Sequence, residues 1–410
     1  MPSGRGLVVV GTGIALWIGG RILGSSTLHM VAVGVIVLPF AAAMFARWGR
    51  QRLRLHRRLS DTRVQPGQRV YVELEVESRS PTHSSLLLVE DRLPPALGRS
   101  ARLVIASAQG RDRQRVRYAL TPRQRGRYVL GPLFVDVSDP FALTKLRVEF
   151  DEREELVVAP EVESLVGGPN SPFGLASGLA LAKHLFRTGD EFYTMRPYVE
   201  GDDLRRIHWR SVARTGELMI RQEESTRRST AVLFVDTRDS SVGQTHGPCF
   251  EKVVSCAASL GVFLMRYGFS VKLATSQLPP HRVGEDQLLD TLAAIGHHSS
   301  RTLSGALTRL RMSAASDSSL VMVGSPPPPA ELASLIRAGA MFGPKVAVLV
   351  HPAEPDSLPP DRRGQLEGRA SQAQLSMSRS GWEVLVLPPS GRLGELWQSS
   401  KTRPLVVSGS

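Results

Sequence analysis

Two apolar runs near the N-terminus, the second ending in arginines, constrain this chain more than any other feature. From Leu28 to Ala46 the sequence LHMVAVGVIVLPFAAAMFA runs 19 residues without a formal charge. As a helix it is about 28 Å long, close to the roughly 30 Å hydrocarbon core of a bilayer. Pro39 is better tolerated in such a helix than in a water-soluble one. Leu7–Leu23 forms a second, more glycine-rich span, with Arg21 placed near one end where its side chain can reach the interface. Gly24–Thr27 is then a tight turn, and the segment reads as a transmembrane hairpin contacting lipid over residues 7–46. Six arginines follow between Arg47 and Arg58. The positive-inside rule places that end, and so both ends, in the cytoplasm. The competing reading is a cleaved signal peptide on a secreted protein, but the second apolar run closed by arginines is a stop-transfer pattern.

The net charge of +13 invites a nucleic-acid reading, and its location removes that reading. Residues 1–60 hold eight arginines and no acidic residue, which leaves 43 basic against 38 acidic residues in the rest. The excess follows membrane topology, not a phosphate-binding face. The two cysteines, Cys249 and Cys256, lie seven apart in an apolar helical pattern. They share a helix face about 10 Å apart, too far to bridge, and read as buried structural thiols. No disulfide framework is present, which fits a reducing compartment.

At 410 residues two or three folded units are expected. After a hairpin and basic juxtamembrane segment over 1–59, residues 60–158 read as strands. Val70–Ser78 alternates apolar and charged positions, and Ser85–Pro94, Ala101–Ser107, Arg113–Pro122, Arg125–Leu143 and Leu146–Phe150 follow between Pro, Gly and Ser turns. This spacing predicts a β-sandwich of immunoglobulin-like type. Residues 159–229 form a connector and a dense charged motif. From Thr230 onward, over 230–410, apolar strands such as Thr230–Asp236, Ser319–Gly324 and Lys345–His351 alternate with helical patterns. That order predicts a C-terminal α/β domain with a parallel sheet covered on both faces.

The dense motif runs from Gly189 to Glu224. Gly201, Asp202 and Asp203 read as a turn feeding a helix, with one aspartate as N-cap. Gly216 ends that helix, and Glu217–Glu223 alternates as a strand. Asp202, Asp203 and His208 supply carboxylates and an imidazole within two helical turns, which a hydrolase could use for general acid–base work. No nucleophile motif or paired metal spacing accompanies them. The arginines Arg196, Arg205, Arg206, Arg210 and Arg214 offer planar forks that match carboxylates. An ion-pair clamp or interaction surface is therefore the favoured reading.

The run Arg196–Thr215, R-P-Y-x-x-G-D-D-x-R-x-I-H-W-R-x-x-A-R-T, resembles the signature of the domain-of-unknown-function 58 family. Its signature positions here are Arg196, Pro197, Tyr198, Gly201, Asp202, Asp203, Arg205, His208, Trp209, Arg210, Arg214 and Thr215. The upstream run Arg125–Leu143 is similar to that family's pattern too, as is the layout of hairpin, β-rich unit, signature and α/β part. The resemblance implies a C-terminal domain like von Willebrand factor A, a MoxR-type AAA+ ATPase as partner alongside other membrane proteins, and no enzymatic activity or cofactor. The expected role is a membrane-bound adaptor or scaffold. A metal-binding von Willebrand A domain presents Asp-x-Ser-x-Ser after its first strand, because three oxygens must hold Mg²⁺. Here Asp236 and Ser240 fit, while Arg238 stands at the first serine. The expectation is a degenerate site without metal, with a metal-dependent binding module as the alternative.

Overall fold

The structure is a computed structural model of the 410-residue chain. It describes residues 3–50, 53–78, 87–105, 113–138, 141, 143–165, 193–198, 207, 209–223, 230–300, 302–315 and 318–399. The chain divides into two compact units, Met1–Ala159 and Pro160–Ser410.

The first unit begins with helices α1 (Gly4–Leu23) and α2 (Ser26–Arg50). Ser3 caps α1 by accepting from the Gly6 N–H, and Gly24, at φ 65°, ends it. Both helices are long and apolar enough to cross a membrane, and their outer faces carry exposed side chains such as Leu7, Ile22, Met30 and Phe40. The buried residues of α1 are Gly6, Gly13 and Gly20, seven apart. A Cβ at Gly13 would collide with Ile36, and one at Gly20 would press on His29. The glycines are therefore the surface along which α2 packs, as small residues are in membrane helix pairs. At the other end of this stripe Gly6 faces the Leu143 carbonyl, which also accepts from the Ser3 N–H at 2.9 Å.

Among the described residues the strands that follow are β1 (Leu53–Leu59), β2 (Arg63–Val64), β3 (Val70–Ser78), β4 (Leu87–Asp91), β5 (Ala101–Ile105), β6 (Arg113–Leu120), β7 (Gly126–Leu130), β8 (Leu133–Ser138), β9 (Lys145–Phe150) and β10 (Glu154–Val158). They form sheets of order β1-β3-β6, β5-β4-β8-β9 and β2-β10-β7. Alternate residues point into one shared core, with Val70, Val72, Leu74 and Val76 of β3 fully buried alongside Leu87, Val89, Leu133 and Val135. Strand β1 begins inside the stretch read as basic juxtamembrane chain. Arg57 on it is buried, opposite Leu74, and occupies an inward position. Its guanidinium meets Asp91 and donates to the carbonyls of Leu130 and Glu152, both at 2.9 Å. Tyr118 donates to the same carboxylate at 2.6 Å. Burial pushes Asp91 upward in pKa, against the pull of the Tyr118 hydroxyl and the Arg57 charge. Gly131, at φ 104°, leaves room for this guanidinium, since a side chain there would strike the Glu152 carbonyl.

The second unit holds β11 (Tyr193–Pro197), α3 (Trp209–Thr215) and β12 (Met219–Glu223), then an α/β body. Its strands are β13 (Thr230–Val235), β14 (Ser270–Thr275), β15 (His281–Arg282), β16 (Ser319–Gly324), β17 (Lys345–Val350) and β18 (Trp382–Leu387). The sheet order is β15-β14-β13-β16-β17-β18, all parallel except β15. The helices are α4 (Asp239–Val242), α5 (Pro248–Arg266), α6 (Glu285–Ala294), α7 (Ser304–Met312), α8 (Pro329–Gly339), α9 (Pro360–Arg379) and α10 (Leu393–Ser399). Odd positions of β13 (Ala231, Leu233, Val235) enter a core with α5, α6 and α10, and even positions (Val232, Phe234) enter a second core with α7, α8 and α9. Strands buried on both faces are what the continuous apolar runs require. Helix α5 is also long and apolar enough to span a membrane, but it is mostly buried inside this unit. Cys249 and Cys256 lie on it as free, buried thiols, and burial pushes both up to about 12.

Candidate functional site at the carboxyl edge of the parallel sheet

In an open parallel sheet, ligands enter the crevice at the carboxyl ends of strands where the chain reverses its winding. Here that point lies between β13 and β16. From β13 the chain passes through α5 to β14 on one side, then returns to β16 on the other. Asp236 follows β13 directly, and its N–H donates to the Val323 carbonyl at 2.9 Å, which fixes it beside β16. A Cβ at Gly324 would press on the Asp236 side chain, so the glycine makes space for the carboxylate.

The carboxylate is already occupied. Arg238 donates through Nε to Asp236 Oδ1 at 2.9 Å and through Nη2 to Oδ2 at 2.8 Å. The other side of the same guanidinium reaches Glu331, in the first turn of α8, at 2.8 and 2.9 Å. Ser276, just past β14, donates to Asp236 Oδ1 at 3.0 Å and accepts from the Thr237 N–H. Arg238 is 2% exposed and Asp236 1%. Burial alone would lower the arginine's pKa, but the hydrogen bonds to Asp236 and Glu331 outweigh it and hold the value above the ordinary one. The loop is pinned from outside as well. His298 donates to the Thr237 carbonyl at 2.8 Å, and Asp239 donates to the His298 carbonyl at 2.9 Å. Arg309 on α7 donates to the carbonyls of Ser276 and Gln277.

This arrangement places the guanidinium on the oxygens a divalent ion would use. Asp236 and Ser240 are not brought together. Ser240 lies exposed on α4, and the carboxylate's partners are Arg238 and Ser276. Among the described residues there is no cluster of three or more His, Cys, Asp or Glu side chains that could hold a metal. Ser276, Gly324 and Glu331 were not singled out from the sequence. Glu331 joins Arg238 across 93 positions, so no local pattern reveals the pair.

The signature is described in part. Arg196 and Pro197 lie on β11, paired with Ile220 and Met219 of β12. Tyr198 is half-buried, and its N–H donates to the Leu218 carbonyl at 2.8 Å. Trp209 and Arg210 open α3 as exposed residues, Arg214 is exposed on the same helix, and Thr215 is its last residue. Gly216, at φ 74°, ends the helix by donating to the Val212 carbonyl, as expected of it. The strand expected at Glu217–Glu223 is β12, and β11 pairs with it although the charged motif gave no strand signal there. Gly201, Asp202, Asp203, Arg205, Arg206 and His208 lie outside the described residues.

The chain is 22% identical over 249 residues to the Uncharacterized protein YeaD of Bacillus subtilis (strain 168), an alignment covering 58% of this chain. It spans only 60% of that relative's length. Among solved structures, a CARDB domain from Pyrococcus furiosus aligns at 13% identity and a TM-score of 0.20, covering 26% of this chain and 94% of that domain. The Pseudomonas fluorescens alkylpurine DNA glycosylase AlkC aligns at 15% identity and a TM-score of 0.17, covering 30% of this chain and 38% of that one. Likenesses this slight bear on neither fold nor function. Residues 194–383, from β11 into β18, match the model of the family described as Protein of unknown function DUF58.

Proposed function

We propose that the chain is a membrane-anchored, non-enzymatic docking protein of the DUF58 family. Its folded parts face the cytoplasm and work with a MoxR-type AAA+ ATPase in assembling or activating other protein complexes. The observation that carries this reading is the Arg238 guanidinium on Asp236. The one buried carboxylate at the sheet's switch point is neutralised and sealed, which suits a rigid binding scaffold and leaves neither an acid–base pair nor a metal there. The layout of the parallel sheet, with Asp236 after its first strand, supports a relation to von Willebrand factor A domains. An immunoglobulin-like character for the β-rich unit is supported by Tyr128, whose hydroxyl donates back to the carbonyls of Gln124 and Arg125. The tyrosine corner of such sandwiches reaches back to the backbone in a similar way. The two N-terminal spans and the arginines after them support tethering with the domains inside. Affinity capture of the full chain from native membranes tests the partnership. Recovery of an AAA+ ATPase is expected, and repeated capture without one contradicts it.

A further inference from the structure

One strand away from the sealed switch point, the carboxyl edge of the same sheet is open. A cavity of about 420 Å³ lies between the loop after β16, the loop after β17 and helix α9. That volume is within the range of small-ligand and side-chain pockets. Pro326, Leu358 and Leu366 give it an apolar wall, and Ser325, a residue only 5% exposed, also lines it. Arg362 and Arg369 line it from one face of α9. Neither makes a hydrogen bond or ion pair among the described residues, whereas their neighbour Arg363 is paired with Asp356 and Glu367.

The chemistry of the wall narrows the ligand. Prolines at positions 326–329 carry no N–H, so this loop has no backbone cradle for a phosphate. Among the described residues no aromatic side chain lines the cavity on which a base could stack. Anionic recognition therefore falls to the two guanidinium forks, whose geometry matches carboxylates. Seven residues on a helix separate their Cα atoms by about 10.5 Å. On a polyproline-type peptide, with three residues per turn, carboxylates three residues apart share a face and are about 9 Å apart.

We propose that this cavity docks an acidic peptide segment of a partner protein. Two carboxylates three residues apart pair with Arg362 and Arg369, and an apolar side chain between them seats against Leu358 and Leu366. This deepens the docking reading above by naming the chemistry of what docks. It is tested with a fluorescent peptide carrying two glutamates three apart around a leucine, titrated by anisotropy against the full chain in nanodiscs. Saturable binding is expected, with a loss of about ten-fold or more in the double variant Arg362→Glu/Arg369→Glu. The distant exposed pair Arg282→Glu/Arg311→Glu should leave binding within about two-fold, which separates the cavity from the chain's general positive charge. All four positions are exposed, and melting curves check that each variant folds. No saturable binding, equal loss in both double variants, or displacement of the peptide by millimolar inorganic phosphate overturns the proposal. The peptide reads the cavity alone, so its failure leaves the ATPase partnership to the membrane capture experiment.

Discussion

The Arg238 guanidinium lies on both oxygens of the Asp236 carboxylate, two residues before it in the chain, at 2.9 and 2.8 Å. The pair sits with Glu331 at the most ligand-prone point of the sheet and fills it with the protein's own cation. Removing the cation leaves two carboxylates facing each other, one of them fully buried. Arg238→Ser should therefore lower stability by about 3–5 kcal/mol in chemical denaturation. Added Mg²⁺ or Mn²⁺ should restore part of the loss in the variant and leave the wild type's melting temperature unchanged. A heat of Mg²⁺ binding to the wild type would contradict this account.

The same logic governs Arg57 and Asp91 in the β-rich unit, whose side chains are both fully buried. Asp91→Ala strands a guanidinium that still bonds two carbonyls, at a cost of about 3–5 kcal/mol. Replacing both partners, as Arg57→Met/Asp91→Leu, should cost much less than the sum of the single changes. Equilibrium unfolding of the four variants forms the cycle, and additive losses would count against a coupled pair.

His351, at the end of β17, is 8% exposed and its Nδ1 has no hydrogen-bond partner among the described residues. Burial pushes its pKa below the ordinary value of 6.5, with Glu367 and Glu354 pulling the other way. Because the folded value is depressed, the unfolded chain takes up the proton first. The stability this neutral histidine contributes is complete above about pH 6.5 and is lost as pH falls below it. Unfolding free energies measured from about pH 7.5 to 5 should fall in the wild type and fall less steeply in His351→Asn; parallel slopes would refute the assignment.

Gly6 lets α1 approach the Leu143 carbonyl, whereas a Cβ at Gly11 meets open space. Gly6→Val should lower the melting temperature of the nanodisc-reconstituted protein by several degrees, and Gly11→Val should not. Equal behaviour of the two variants would mean that the hairpin does not rest on the β8–β9 loop.

The packing face of α1 is made of glycines, Gly6, Gly13 and Gly20, which add little to hydropathy. The alternation in Val70–Ser78 and the apolar runs of β13, β16 and β17 were readable, because one- or two-sided burial writes a local period. Arg57 was misplaced for the opposite reason. Six arginines in a row of twelve residues look like a topological signal, yet Leu55, Arg57 and Leu59 share one parity and so one inward face. The early turns of helix α9, from Pro360, carry no apolar stripe that the sequence could show, because they are almost wholly solvated. Its buried residues, Ala370, Ala373 and Met377, all fall in its second half. The candidate site was half legible. Asp236 and Arg238 follow a strand end, while Ser276 and Glu331 reach them only through the sheet's crossovers.

Site-directed photo-crosslinking from Trp209 tests the central claim most directly. This tryptophan is 68% exposed at the start of α3, within the stretch that matches the DUF58 model. A photoreactive residue there, activated in intact cells, should yield an adduct containing a cytoplasmic AAA+ ATPase. Adducts only with extracytoplasmic proteins, or none with an ATPase at normal expression, would contradict the account.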